Sequence, residues 1–230
     1  GVKIIMSYVL NKFKKLLNKE IYINFFKTLR YSLYVILHPA DGMWDLVHAK
    51  RGSYAAANFI VLLALFTHIW KIKFVSFLFN DTNWETVNIF MEIATILLPL
   101  SIFCICNWAV TTLFDGKGKL GQVYMGTAYA LTPYCLIQIP LIIASHFMTL
   151  EEGTFFYVFS NFSMIWSAVL IFMAMMMIHQ YSFGKTLVFT LFTIFGMLVF
   201  IFIMLLFFSM ISQGVAYFVS LAREIMFRLN

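Results

Sequence analysis

From residue 54 onward the chain alternates between long apolar stretches and short polar breaks. The stretches run approximately over 54–79, 86–114, 122–147, 154–181 and 186–214. Each exceeds the ~20 residues that cross ~30 Å of hydrocarbon at ~1.5 Å per residue. Within lipid each must be helical, because every backbone amide and carbonyl has to be satisfied inside its own segment. The breaks read Asn80-Asp81-Thr82-Asn83, Asp115-Gly116-Lys117-Gly118-Lys119, Glu151-Glu152-Gly153 and Tyr181-Ser182-Phe183-Gly184-Lys185, so turn formers and charge coincide at each. The pattern predicts an all-α fold, a polytopic membrane helical bundle of five transmembrane helices. It divides the chain into a basic cytoplasmic or interfacial region over 1–53, a membrane domain over 54–214 and a short external tail over 215–230.

The region before the first span is patterned differently. Ile5, Val9, Phe13, Leu16 and Leu17 recur at helical spacing, while Lys12, Lys15 and Lys19 fall on another face. This predicts a basic amphipathic helix in the headgroup plane, the alternative being a helix packed on a partner. The apolar run is interrupted by Lys12, Lys14 and Lys15 and lacks a small-residue cleavage site, so it does not read as a signal peptide. A second interfacial helix is expected to begin at Asp41, capping Gly42-Met43-Trp44, with Trp44 at headgroup depth and Lys50 and Arg51 at the entry to span one.

Composition fixes the solvent. Of 230 residues, 62% are apolar and 11% charged, whereas a soluble domain runs near ~45–50% apolar and ~25% charged. Disorder, most soluble enzyme folds and nucleic-acid modules are thereby excluded. The net charge of +6 does not argue for nucleic acid, because nine of the 16 Lys and Arg lie in residues 1–53. That concentration fits an anionic cytoplasmic leaflet as the partner surface. Adding Lys117, Lys119 and Lys185 gives the same side twelve basic residues, against four on the other: Lys71, Lys73, Arg223 and Arg228. The charge bias therefore predicts a cytoplasmic N-terminus and an external C-terminus in the cell membrane.

Candidate chemistry is sparse. Cys104, Cys106 and Cys135 lie inside spans without a Cys-x-x-Cys pair, and read as small buried hydrophobes. His38, His48, His146 and His179 are scattered and read as interfacial, with His68 standing apart; no pair has helical zinc-site spacing, so no metal is expected. Hydrolase, zinc-protease and phosphate-loop signatures are absent, which predicts no enzymatic activity, no catalytic residue and no cofactor. Asn107, Gln138, Asn161 and Gln180 read as helix-joining polar residues. Lys71 and Glu92 stand at similar depth on either side of the turn near Asp81, so Glu92 is expected to meet Lys71 or Lys73. The pair is read either as a structural clamp with Lys71 snorkelling outward or as an ion relay. Pro99, Pro133 and Pro140 interrupt spans two and three. Pro133 frees the Tyr129 carbonyl, which is expected to be taken up by a polar side chain of a neighbouring span.

One set of motifs resembles a known family. Asn107-Trp108 followed by Asp115-Gly116-Lys117-Gly118, then Ala128-Tyr129-Ala130-Leu131-Thr132-Pro133-Tyr134, resembles the bacterial branch of the Yip (Ypt/Rab-interacting protein) domain family. His38-Pro39 with Gly42-Met43-Trp44 resembles the proline-led segment before span one in the same members. The resemblance covers roughly 38–214 and implies a five-span domain with a cytoplasmic N-terminus. Eukaryotic relatives act in membrane trafficking with Rab GTPases through a longer N-terminal region carrying Asp-Leu-Tyr-Gly-Pro. That motif is missing here, so a Rab partner is not implied. The resemblance implies an accessory or scaffold protein that contacts lipids or another integral membrane protein, and the stretch that carries it supplies the candidate contact residues Asp115, Gly116, Lys117, Gly118, Tyr129 and Pro133. The expected partner is another membrane complex such as a transporter, and Lys71 and Glu92 are structural candidates by their shared depth. The alternative is a small permease built on the kinked third span.

Overall fold

The computed structural model describes residues 19–80 and 87–229. The amphipathic pattern over 1–18 and the charges at Asp81 and Glu85 lie outside them. Among the described residues every regular element is helical: α1 (Lys19–Leu37), α2 (Pro39–Val47), α3 (Tyr54–Phe74), α4 (Ile89–Leu113), α5 (Leu120–Ala130), α6 (Thr132–Ala144), α7 (Gly153–His179) and α8 (Phe183–Leu229). Five segments are long and apolar enough to cross a membrane: α3, α4, α5 with α6, α7, and α8 as far as Leu221.

The span ends differ from the apolar limits for local reasons. The first span stops at Phe74 rather than 79, because Val75 turns extended and the Asn80 side-chain amide donates to the Ile72 carbonyl at 2.7 Å. Ser53 caps the other end, its hydroxyl accepting from the Ala56 N–H. Asn88 caps α4 in the same way through Phe90. The largest departure is the expected tail at 215–230: α8 continues through it to Leu229 as one helix of 47 residues. Gly214 stands alone there without proline, and a single helical glycine costs only about 1 kcal/mol, too little to end the helix.

Ahead of the spans, α2 starts at Pro39 and not at Asp41. Proline fits the first helical position because its missing donor is not needed there, and Asp41 then sits in the first turn, where its charge suits the helix dipole. The His38 side chain makes no capping bond. A Cβ on Gly42 would stand 2.9 Å from the Val35 Cα, so glycine is what lets α2 lie against α1. The Tyr31 hydroxyl ties the two by donating to the Gly42 carbonyl.

The third span is the centre of the bundle. In its most apolar window 61% of residues are buried, against 6% in α8. Tyr129, Val123 and Ala128 of α5 meet Met43 and Leu46 of α2, Ile60 of α3, and Leu170 and Ile178 of α7 in one core. Glycine and alanine at Gly126 and Ala174 allow the close approach of α5 to α7.

Candidate functional site

The loop between the second and third spans is folded onto the end of the fourth. Helix α4 ends in a left-handed residue, Asp115 (φ 58°), and α7 ends in another, Gln180 (φ 57°). Asparagine and aspartate tolerate this conformation better than most side chains, and the Gly116 N–H closes the first turn on the Thr111 carbonyl at 2.8 Å. The two ends then lock together. The Lys117 ammonium donates to Gln180 Oε1 at 2.7 Å, and the Tyr181 hydroxyl donates to the Phe114 carbonyl at 3.0 Å. Gln180 Nε2 lies 3.1 Å from His48 Nε2, which brings α2 into the same junction. Burial, helped by the charge of Asp115, raises the Tyr181 phenol above its ordinary value and so keeps it a donor.

Beneath the loop runs a buried polar chain. The Gly118 N–H donates to His179 Nδ1 at 3.3 Å. That acceptor role leaves the proton on Nε2, which faces Asn107 Oδ1 at 3.1 Å. Asn107 Nδ2 donates to Thr193 Oγ1 at 3.2 Å, and Thr193 donates to the Phe189 carbonyl. His179, Asn107 and Thr193 are each at most 2% exposed. Only the neutral Nε2–H imidazole satisfies every link, so the chain is a fixed structural network joining four segments. His179, expected at an interface, is instead interior. Its spacing from Asn107 carries no signal in the sequence, because 72 residues separate them.

Tyr129 and Pro133 organise the adjacent face. The third span breaks at Leu131, where Pro133 occupies the start of α6. The Tyr129 carbonyl freed by Pro133 is not captured from a neighbouring span, as expected, but by the Thr132 hydroxyl of its own span at 2.7 Å. A hydroxyl already one turn away reaches it without any cost of bringing helices together. The cross-element link runs instead through the Tyr129 phenol, which accepts from the Ser53 N–H and donates to the Thr28 carbonyl, pinning α1 and the cap of α3 onto α5. Replacing Tyr129 with Phe is expected to cost about 1–2 kcal/mol, since the Ser53 N–H loses its partner while the ring packing stays. Thermal unfolding in detergent measures it; an unchanged midpoint would show the hydroxyl to be idle.

In the other half of the bundle the expected Lys71–Glu92 pair does not form. Glu92 Oε2 lies 2.9 Å from His68 Nε2, and the Lys71 ammonium donates to Ser160 Oγ at 2.7 Å. Similar depth placed both residues at the right level but not on facing sides. Gln138 Nε2 joins the Lys71 cluster, donating to Ser160 Oγ and Ser163 Oγ at 3.0 and 2.8 Å. Two donors, the Lys71 ammonium and Gln138 Nε2, thus converge on the Ser160 oxygen as their acceptor. Glu92→Gln and Lys71→Gln should therefore destabilise additively, within about 0.5 kcal/mol, in a double-mutant cycle. A larger coupling would restore the direct pair.

Among the described residues no three His, Cys, Asp or Glu side chains are grouped to hold a metal. The candidate residues thus fall into two places. Asp115, Gly116, Lys117 and Gly118 form the loop junction with Tyr129 and Pro133 on the span behind it; Lys71 and Glu92 belong to separate contacts in the opposite half. Comparison with known proteins adds one finding: residues 33–207 match the Yip1 domain. No curated protein and no solved structure matches the chain.

Proposed function

The chain belongs to the Yip1 domain family and is a multi-pass membrane protein, and on that premise we propose that it is a non-enzymatic accessory or scaffold protein that docks on another membrane complex. The observation that carries the proposal is the shape of α8. Its apolar stretch, residues 186–214, has 29 residues, about 43 Å of helix at ~1.5 Å per residue. Fitting that length within ~30 Å of hydrocarbon requires a tilt of about 45°, steeper than the ~20° that membrane helices average. From Ile201 to Leu221 every side chain in contact range of solvent or lipid that is described is exposed. An apolar surface longer than the bilayer is thick calls for cover by a second membrane protein.

Co-purification tests this reading. Affinity isolation of the tagged chain in a mild detergent should bring down one integral membrane partner at fixed stoichiometry. A homo-oligomer alone, active in liposome flux, would favour the second reading, a small permease on the kinked third span. That reading draws on Gln138 Oε1 and Ser167 Oγ, buried side-chain atoms without a hydrogen-bond partner among the described residues, Gln138 being part of the Lys71 cluster. In the permease case Lys71→Gln abolishes flux.

The orientation proposed is N-terminus cytoplasmic and C-terminus external in the cell membrane, from the twelve-to-four distribution of basic residues read in the sequence. Gly118 and Gly153 are unsuitable reporters, because an added Cβ would strike His179 or Phe79. With Cys104, Cys106 and Cys135 replaced, a cysteine at exposed Glu151 should react with an impermeant thiol reagent in intact cells, and one at exposed Lys119 should not. The reverse labelling would invert the topology.

A further inference from the structure

We infer that the cleft between α1 and the turn following α2 is a binding site for the phosphate of an anionic membrane phospholipid. The cleft has a volume of about 510 Å³ and is lined by Asn24, Lys27, Thr28, Tyr31, Lys50 and Arg51, with Ala49 between. Asn24, Lys27, Thr28 and Tyr31 stand three and four residues apart and so share one face of α1. The facing wall is the turn that brings Lys50 and Arg51 back toward that helix. The lining holds three cations and no carboxylate. Asp45 pairs with Arg51 at 3.3 Å and offsets part of that charge. Lys27 and Lys50 have no ion-pair partner among the described residues. The Tyr31 phenol, pushed up to about 12 by burial and then by Asp45, stays un-ionised and adds no negative charge. Ammonium groups on two walls, with a guanidinium on the Lys50 wall, are the donors that a phosphate oxygen cluster needs.

Backbone conformation points the same way. Lys50 has φ 51°, in the left-handed region. This position terminates α2, a place that glycine fills without strain. Lysine there accepts a strained backbone and in exchange sets an ammonium on the cleft wall. Strain of this kind concentrates at functional positions.

Depth selects a lipid over a free anion. Ser53 caps α3, whose apolar span starts at Tyr54. Lys50 and Arg51 lie just ahead of it, at the headgroup layer. The opposite side of α1 carries a mainly apolar groove of about 310 Å³, lined by Phe26, Leu29 and Leu33 against Phe59, Ile60 and Leu63, with Arg30 on the same α1 side. α1 therefore lies along the boundary between hydrocarbon and headgroups, with its basic face toward the phosphates. The site needs no protein partner and stands or falls independently of the scaffold proposal.

The test uses the full chain in neutral detergent micelles, its thermal unfolding followed during titration with phosphatidylglycerol, phosphatidylcholine or inorganic phosphate. Phosphatidylglycerol should stabilise it saturably, and the other two should not. Lys50→Gly removes the charge and relieves the strained φ, so it should raise the lipid-free midpoint while weakening apparent phosphatidylglycerol affinity about fivefold. Adding Lys27→Gln should bring the loss to about 25-fold. Lys185→Gln, a basic residue outside the cleft, should leave affinity unchanged. Equal stabilisation by inorganic phosphate would overturn the lipid assignment. An absent phosphatidylglycerol response, one unaffected by Lys50→Gly, or one equally weakened by Lys185→Gln would overturn the site.

Discussion

Asn107→Leu is expected to lower the stability of the folded chain by about 2–4 kcal/mol. The substitution nearly conserves volume but removes both partners of a two-sided link. His179 Nε2–H loses its acceptor, and Thr193 Oγ1 loses its donor, at sites that exclude water. Hydrogen bonds between membrane helices average only ~0.6 kcal/mol when measured as net pair terms. Leaving a buried polar group unpaired costs about 1–3 kcal/mol, and among the described residues Asn107 Oδ1 is the acceptor that the imidazole Nε2–H meets. The desolvation term therefore decides the outcome. Thr112→Val is the matched control: its hydroxyl bonds only the Trp108 carbonyl on an exposed face, and its loss should stay within about 0.5 kcal/mol. Reversible unfolding in detergent compares the two. A loss below about 1 kcal/mol for Asn107→Leu would show that the buried chain is not what joins the four segments.

Gly118→Ala is expected to cost about 1–3 kcal/mol from the other side of the same junction. The added Cβ would lie 2.5 Å from Ile178 Cγ2 and 2.6 Å from His179 Cε1. Neither neighbour yields easily, because both belong to the buried last turn of α7 and the imidazole is held at both nitrogens. Moving the loop outward instead breaks the Gly118–His179 bond and stretches Lys117 away from Gln180. Glycines in open places should behave in the opposite way. Gly196→Ala meets nothing closer than 3.7 Å inside α8, so it should be neutral or stabilise by up to about 1 kcal/mol through helix propensity. Expression level and unfolding midpoint of the two variants measure the contrast. Equal behaviour would mean that the loop sits away from His179.

The contrast shows how much of this molecule is legible in its sequence. The five spans are, because a run of apolar residues longer than a bilayer leaves few other solutions. Their ends are less so, since they depend on contacts made at a distance in the chain, such as Asn80 reaching back to Ile72. The continuation of α8 past Gly214 is not legible in the apolar pattern, which fades there while the helix runs on to Leu229. Asp115-Gly116-Lys117-Gly118 reads as a turn, and it is one; that its Gly118 amide seats on an interior histidine does not follow from any spacing. For Lys71 and Glu92, counting from the turn supplies depth alone. Which side of each helix faces which neighbour is fixed by packing, and there His68 faces Glu92 while Lys71 faces Ser160.

The exposed length of α8 is proposed as a surface for another membrane protein. A photo-crosslinking residue at Met210, 71% exposed on α8, tests it most directly in intact membranes, with the same residue at Phe162, exposed on α7, as reference. A discrete adduct of one added mass is expected at Met210, resolved by mass spectrometry as a single second membrane protein, with lipid adducts alone at Phe162. Lipid adducts alone at both positions, or adducts only with further copies of this chain, would contradict it.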